Sequence, residues 1–390
     1  MDFTISPRIE DFRRRIARFV QDELLPVEED RANYDPHENI RLDLLEALRD
    51  KARAEGLWCL QLKQETGGQD LGRVGMAVCY EEMNRSIFGP VVFNSAAPDD
   101  GNMMVLEKAA TPEQKERWLK PIVEGRVRSA FVMTEPHPGS GSDPGGMMLT
   151  TATRHGDSYR IRGRKWFITG AEDAAHFILI ARTSDDPRKG LSAFLFHRDT
   201  PGWRIERRIP IMGPEEHGGH CELEFDGLEI PDENRLMEVG DGLRLTQIRL
   251  GPARLTHCMR WTGLGRRALE IATERIEGRV AFGQKLADKE SVQQMVGQAA
   301  MELDIGRLLT MRAAWLLDQG SLARKEISMA KNFATDVADR ITYDAVQILG
   351  GMGYMRESLV ERLYRDNRIL SIGGGSREIM NEIISKQMGL

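Results

Sequence analysis

Apolar positions change their period twice along the chain. In the first third they recur at helical spacing. Ser6-Pro7 reads as a cap and first turn, with Ile9, Phe12, Ile16 and Phe19 following on one face. Leu42, Leu45 and Leu48 repeat the signal, ending near Gly56. Gly67-Gly68 with Gly72 marks a loop, and another helix begins at Met76. Thr111-Pro112-Glu113-Gln114 predicts a helix start, with Thr111 as the cap and Gln114 at the capping-box position. After Gly125 the runs shorten. Thr151–Thr153, Tyr159–Arg162, Phe177–Ile180, Ala193–Phe196, Trp203–Glu206 and Cys221–Phe225 are β-prone segments set between Gly, Asp and Pro. From Gly240 the helical period returns in longer stretches. Leu264, Ala268, Ile271 and Ala272 mark one helix; Val292, Met295, Val296, Ala299 and Leu303 mark a second. A third carries Ile327, Ala330, Ala334, Val337, Ile341, Ala345 and Ile348. The pattern predicts a mainly α protein with a central β domain: helices over 1–128, β structure over 129–235, helices again over 236–390.

Composition narrows the picture. A chain of 390 residues suits about two to three domains of roughly 150 residues each. The net charge of −6 and pI of about 5.9 indicate neither a nucleic-acid surface nor a polybasic membrane patch. Cys59, Cys79, Cys221 and Cys258 form no Cys-x-x-Cys pair, which fits a reducing compartment and a cytoplasmic location. The start, Met1-Asp2-Phe3 with Glu10 and Asp11 close behind, has the pattern of neither a secretory signal nor a transit peptide. No apolar run approaches the roughly 20 residues of a membrane span.

The stretch Ser129–Gly170 carries the candidate chemistry. The apolar run Ala130–Met133 breaks at Thr134-Glu135-Pro136 into a loop with Gly139, Ser140, Gly141 and Ser142. Glycines permit close approach, and serine hydroxyls with free amides suit anionic oxygens such as a pyrophosphate. Lys165-Trp166-Phe167-Ile168-Thr169 then offers aromatic faces beside a hydroxyl, which a flat heteroaromatic cofactor needs. On residue chemistry alone, two unrelated turns with ordinary core aromatics account for the stretch equally well.

These segments resemble the flavin-binding signatures of the acyl-CoA dehydrogenase family. Further motifs follow in the family's order: Arg279-Val-Ala-Phe282-Gly283, Gln347-Ile-Leu-Gly350-Gly351-Met-Gly353, and Arg365-Asp366 followed by Gly373-Gly374-Gly375-Ser376. Leu250–Arg260 and Ala97–Asn102 resemble one subgroup. The resemblance implies an N-terminal helical domain, a middle β-barrel or sandwich and a C-terminal four-helix bundle. It implies FAD as cofactor, an acyl-CoA thioester as substrate in fatty acid metabolism, an electron-transfer flavoprotein as acceptor, and a homodimer or homotetramer. It places Phe131, Met133, Thr134, Gly139, Phe167 and Thr169 at the cofactor, Thr169 near flavin N5. Arg279 and Gln347 would hold FAD from a partner subunit and Ser376 would close over it, with Phe282, Gly350, Gly351 and Glu378 also at the cofactor. Ser140 or Ser142 would meet pyrophosphate or substrate, with Arg254 and Gly374 also on the substrate side.

Desaturating an acyl thioester requires a polarised carbonyl and a base at the α carbon. Many family members carry a glutamate, and the nearest relatives in flavour an aspartate, where this chain has Gly374. Others take the base from the position of Ala253. Neither residue accepts a proton, although the Gly374 amide N–H still suits a thioester carbonyl. The catalytic base is therefore unassigned, with Asp99 and Asp100 as candidates because by resemblance their loop borders the acyl pocket. Three functions stay open: a dehydrogenase with a relocated base, a flavin oxidase or monooxygenase on the same fold, and a non-catalytic FAD- or acyl-CoA-binding relative.

Other features read as structural. Gly263-Leu-Gly265 lies in a helical pattern and reads as helix packing rather than a dinucleotide fingerprint. His217-Gly-Gly-His220-Cys221 reads as a turn entering a strand, not a metal site. Arg13-Arg14-Arg15 reads as a solvated helix face, and Trp261 and Trp315 as core.

Overall fold

The structure is a computed structural model and describes residues 4–390. The first helix, Pro7–Phe19, is capped by the Ser6 hydroxyl, which accepts from the Ile9 amide. Its Phe12, Ile16 and Phe19 are buried. Arg13 is less solvated than its triplet predicts, because it pairs with Glu10 and with the buried Glu82. Helix Leu42–Ala54 buries Leu45 and Leu48, while Leu42 sits at its first residue and is exposed. Thr111 and Gln114 form the expected reciprocal capping box, worth about 1 kcal/mol.

The β domain comprises β1 (Arg128–Val132), β2 (Thr151–His155), β3 (Ser158–Thr169), β4 (Ala174–Arg182), β5 (Leu191–His197), β6 (Trp203–Arg208), β7 (His220–Pro231) and β8 (Arg235–Leu236). The strand order is β6-β7-β3-β2-β4-β5-β8, with β1 added parallel to β4. β2 meets β4 at one register pair, Thr151 with Arg182, so two antiparallel halves fold over a shared interior. Phe177, Phe196, Trp203 and Phe225 stack inside it. β4 is buried on both faces. Phe177, Leu179 and Ala181 enter this interior, whereas Ile178 and Ile180 join the helical core. That double burial explains why β4 reads as an unbroken apolar run rather than an alternating one.

The last third contains helices Gly242–Gly278, Glu290–Asp318 and Arg324–Leu349, which pack together, with Arg377–Gln387 laid against the third. Trp261 is fully buried among them, but Trp315 is 44% exposed, contrary to the core position its pattern predicts. A helical period marks which residues share a face, not whether another element covers that face. Gly263 is a packing residue: a Cβ there would stand 2.3 Å from the Glu81 carbonyl oxygen of helix Gly72–Met83. The four cysteines are buried and free. Among the described residues, no helix is long and apolar enough to cross a membrane.

Candidate active site

The two halves of the Gly/Ser and aromatic stretch meet. As the chain leaves β1, the Thr134 carbonyl accepts from the Trp166 amide at 2.9 Å, and the Met133 carbonyl from Lys165 Nζ at 2.7 Å. Lys165 Nζ also lies 3.0 Å from Glu135 Oε1, with both side chains shut off from solvent. Glu135 in turn accepts from the amides of Ser140, Leu149 and Thr150 at 3.2, 2.7 and 2.8 Å. One carboxylate thus ties both ends of the Gly/Ser loop to β3. Burial pushes Glu135 up, but the Lys165 charge and the amide donors outweigh it and hold the carboxyl below its ordinary range.

That loop leaves Ser140 wholly buried with its Oγ unpartnered, whereas Ser142 is exposed. An unmade buried hydrogen bond costs about 1–3 kcal/mol, so Ser140 is the serine whose hydroxyl fits a polar ligand. Trp166 and Phe167 leave the β3–β7 ladder at a register shift between Lys165 and Ile168. Such a bulge re-aims side chains. Phe167 takes φ +53° and is 48% exposed, with its ring centroid 4.7 Å from Trp166. Thr169 rejoins the ladder opposite His220, whose Nδ1 is 3.0 Å from its hydroxyl. An exposed aromatic face, an orphaned hydroxyl and open space at Gly141 suit a flat cofactor with an anionic tail.

A second cluster forms between helices Gly242–Gly278 and Arg324–Leu349 and the C-terminal glycines. Arg254 Nε donates to the Gly374 carbonyl at 2.7 Å. Lys331 Nζ donates to the carbonyls of Gly373, at 2.8 Å, and Gly375. Two cations therefore hold three consecutive carbonyls, while the Gly374 N–H has no acceptor among the described residues. Gly374 has φ +69°, and a Cβ built there points at His257, 3.5 Å from Nε2. His257 Nδ1 is buried without a partner. Burial first, then the charges of Arg260, Lys331, Arg249 and Arg254, pull this imidazole down to about 3, so it is neutral.

Asp99 and Asp100 do not serve as free carboxylates here. Asp99 accepts from Ser129 N and Oγ at 2.7 and 2.6 Å and from Arg128 Nε at 3.1 Å. Asp100 accepts from the Gly101 amide at 2.6 Å and from Arg260 at 2.5 Å. Both are buried at the start of helix Asp99–Ala109 and committed to arginines, which removes them as candidates for the relocated base. Adjacent aspartates usually mark a solvated turn; here distant arginines compensate their burial.

The remaining candidates lie at the surface. Arg279 is exposed with no side-chain partner among the described residues, and Phe282 is 98% exposed in the hairpin Val280–Lys285. Gln347, Gly350 and Gly351 are exposed, and the two glycines face open space. Ser376 caps helix Arg377–Gln387 in position and hydrogen-bonds the exposed Glu378, holding that carboxyl below its ordinary range. His217 and His220 diverge as the turn reading expects: His217 Nε2 meets the Ile40 carbonyl at 2.9 Å, and His220 meets Thr169.

Sequence reasoning missed three contributors: the Glu135–Lys165 pair as the loop's anchor, Lys331 and His257. The signal for Lys331 is its place in the buried stripe with Ile327 and Ala334. Arg249, Ala253 and His257 follow at i, i+4 and i+8 on one helix face.

Comparison with known families settles the lineage. Residues 6–126 match the description "Acyl-CoA dehydrogenase, N-terminal domain", 130–228 the middle domain and 240–389 the C-terminal domain. The chain belongs to the acyl-CoA dehydrogenase family. A probable acyl-CoA dehydrogenase, FadE2, from Mycobacterium tuberculosis is 38% identical, covering 97% of this chain and 95% of that protein. The structure of a putative acyl-CoA dehydrogenase from Mycobacterium abscessus superposes with a TM-score of 0.92 at 35% identity, covering 99% of both chains. Butyryl-CoA dehydrogenase from Megasphaera elsdenii superposes at 0.87 and 30% identity, covering 100% of both. The chain spans about half the length of several other curated relatives, such as Acyl-CoA dehydrogenase family member 11 of human. The family fold matches the expected order of helices, β domain and helical bundle.

Proposed function

We propose that this chain is an FAD-dependent acyl-CoA dehydrogenase that desaturates the α,β bond of an acyl thioester and passes electrons to an electron-transfer flavoprotein. The observation that carries this reading is the Glu135–Lys165 pair, which seats the orphaned Ser140 hydroxyl on the loop that follows β1, beside the bulge that exposes Phe167. FAD, when bound, would supply the acceptor for the hydride from the β carbon, and the α proton would pass to a base from solvent, because neither Gly374 nor Ala253 can take it. The backbone at Met133 and Thr134, with Phe131, Gly139, Phe167 and Thr169, borders it, and Ser140 meets an anionic oxygen. Ser376 and Glu378 close the C-terminal side. Arg279, Phe282, Gln347, Gly350 and Gly351 are free to reach a second copy's cofactor, which requires at least a dimer. The free Gly374 N–H polarises the thioester carbonyl, and Arg254 fixes its orientation.

Gly374 itself favours a second reading, a flavoprotein that binds acyl-CoA without desaturating it, because no carboxylate stands at that place. Incubation with saturated acyl-CoAs and an artificial electron acceptor separates the two. The first reading expects a product lighter by two hydrogens; bound but unchanged thioester beside intact FAD establishes the second.

A further inference from the structure

Arg249 is a guanidinium without a counter-ion. Its Nε donates to Asn102 Oδ1 at 2.9 Å, and its carbon lies 4.1 Å from the Phe131 ring centroid. Asn102 is fully buried and fixed in turn, its Nδ2 donating to Ser129 Oγ at 2.9 Å, which donates to Asp99. These contacts hold the guanidinium in place but use only one of its nitrogens. Neither terminal nitrogen has a hydrogen-bond acceptor, and no carboxylate pairs with them, among the described residues. The two nearest carboxylates are spent: Asp99 on Arg128 and Asp100 on Arg260. Burial draws Arg249 down to about 10 against the pull of both aspartates, so it stays charged at neutral pH.

The surroundings add no negative charge. One helical turn from Arg249 along the same face stands Ala253, and the next turn brings the neutral His257 beside Gly374. Arg254 and Lys331 spend their charge on backbone carbonyls, not on carboxylates. This stretch of the helix therefore carries a surplus of positive charge, and a half-buried guanidinium is stabilised by a counter-ion. A guanidinium fixed through Nε presents the edge formed by its terminal nitrogens, which matches the two oxygens of a carboxylate.

We propose that Arg249 anchors the far end of the acyl group and that the thioester this protein serves ends in a carboxylate. The proposal rests on the acyl-thioester reading above and names the substrate class within it. A carboxylate on the acyl tail supplies the missing counter-charge and both acceptors; a plain fatty acyl tail leaves the half-buried guanidinium facing methylenes.

Isothermal titration of the FAD-loaded protein with thioesters matched in chain length tests this: pentanoyl-CoA against glutaryl-CoA, hexanoyl-CoA against adipoyl-CoA, and free CoA as control. At least one dicarboxylic thioester is expected to bind about tenfold or more tightly than its neutral partner, as a charge-assisted contact gives. Arg249→Gln is expected to erase that difference while leaving neutral affinity and FAD content in place, and Arg249→Lys to retain part of it. Neutral thioesters binding as tightly as their dicarboxylic partners overturn the proposal and leave the dehydrogenase reading standing. Loss of FAD, or equal weakening of both ligand types, in Arg249→Gln also overturns it, since the arginine then belongs to a shared contact. Should the variant fail to fold, the wild-type pairs alone decide. If no CoA thioester binds, the functional reading itself fails.

Discussion

His257 Nε2 lies 3.5 Å from where a Cβ on Gly374 would stand. If, as the resemblance implies, Gly374 stands where many family members carry a glutamate, the direction that side chain would take is filled here by the edge of a neutral imidazole. Gly374→Glu should therefore place a carboxylate against His257 and among Arg254 and Lys331, and should raise the rate at which acyl-CoA reduces bound flavin. The backbone sets a cost. At φ +69° a residue with a Cβ loses about 1–2 kcal/mol, so the melting temperature should fall modestly. A folded, flavin-loaded variant no faster than wild type would show that Gly374 is not the vacant base position.

The Lys165–Glu135 pair is expected to control both stability and cofactor retention. Removing one partner of a buried ion pair strands the other, at about 3–5 kcal/mol. Lys165→Met should lose that much in urea denaturation and should also release flavin, because Glu135 no longer holds Ser140 in place. The double variant Lys165→Met/Glu135→Gln should recover part of the loss. Strict additivity of the two single effects would contradict the coupling.

Much of this frame was legible in the sequence because its signals are local. Ser6 and Thr111 cap helices within a few residues of themselves, and the short β runs carry their own turn residues. The family motifs pointed to Met133–Ser140 and Lys165–Thr169, and the structure brings these two stretches together through the Trp166–Thr134 backbone hydrogen bond. What escaped depends on partners far along the chain. Asp99 and Asp100 are buried by Arg128 and Arg260, and Lys331 is satisfied by carbonyls some forty residues away. Trp315 shares the period of a core position but is left 44% exposed. A one-dimensional pattern shows which residues share a face; it does not show what that face meets.

Acidification should weaken the fold partly through His257. Its native value of about 3 lies below the ordinary 6.5. Between those values the unfolded chain binds a proton that the native state refuses, so stability rises with pH across this window and is lost on descending it. His257→Gln should show a smaller fall in denaturation midpoint between about pH 7 and pH 5 than wild type. His176, drawn down to about 4 by burial, keeps its own share in both proteins. Identical pH slopes would mean that His257 is not neutral and enclosed.

Arg279 should act on the cofactor without acting on the fold. Its side chain is exposed and has no partner among the described residues. Arg279→Ala should leave the denaturation midpoint unchanged and weaken FAD retention by about 1.5–3 kcal/mol, the worth of one charge-assisted contact. Unaltered flavin content after dialysis would exclude it from the site.

The most direct test of the account is an oxygen-free titration of the purified yellow protein with a panel of saturated acyl-CoAs, neutral and dicarboxylic, followed through flavin absorbance. The account predicts that the oxidised flavin band bleaches with at least one thioester and that the matching enoyl-CoA appears in equal amount. A flavin that stays oxidised with every thioester, even where binding is measured, would contradict it.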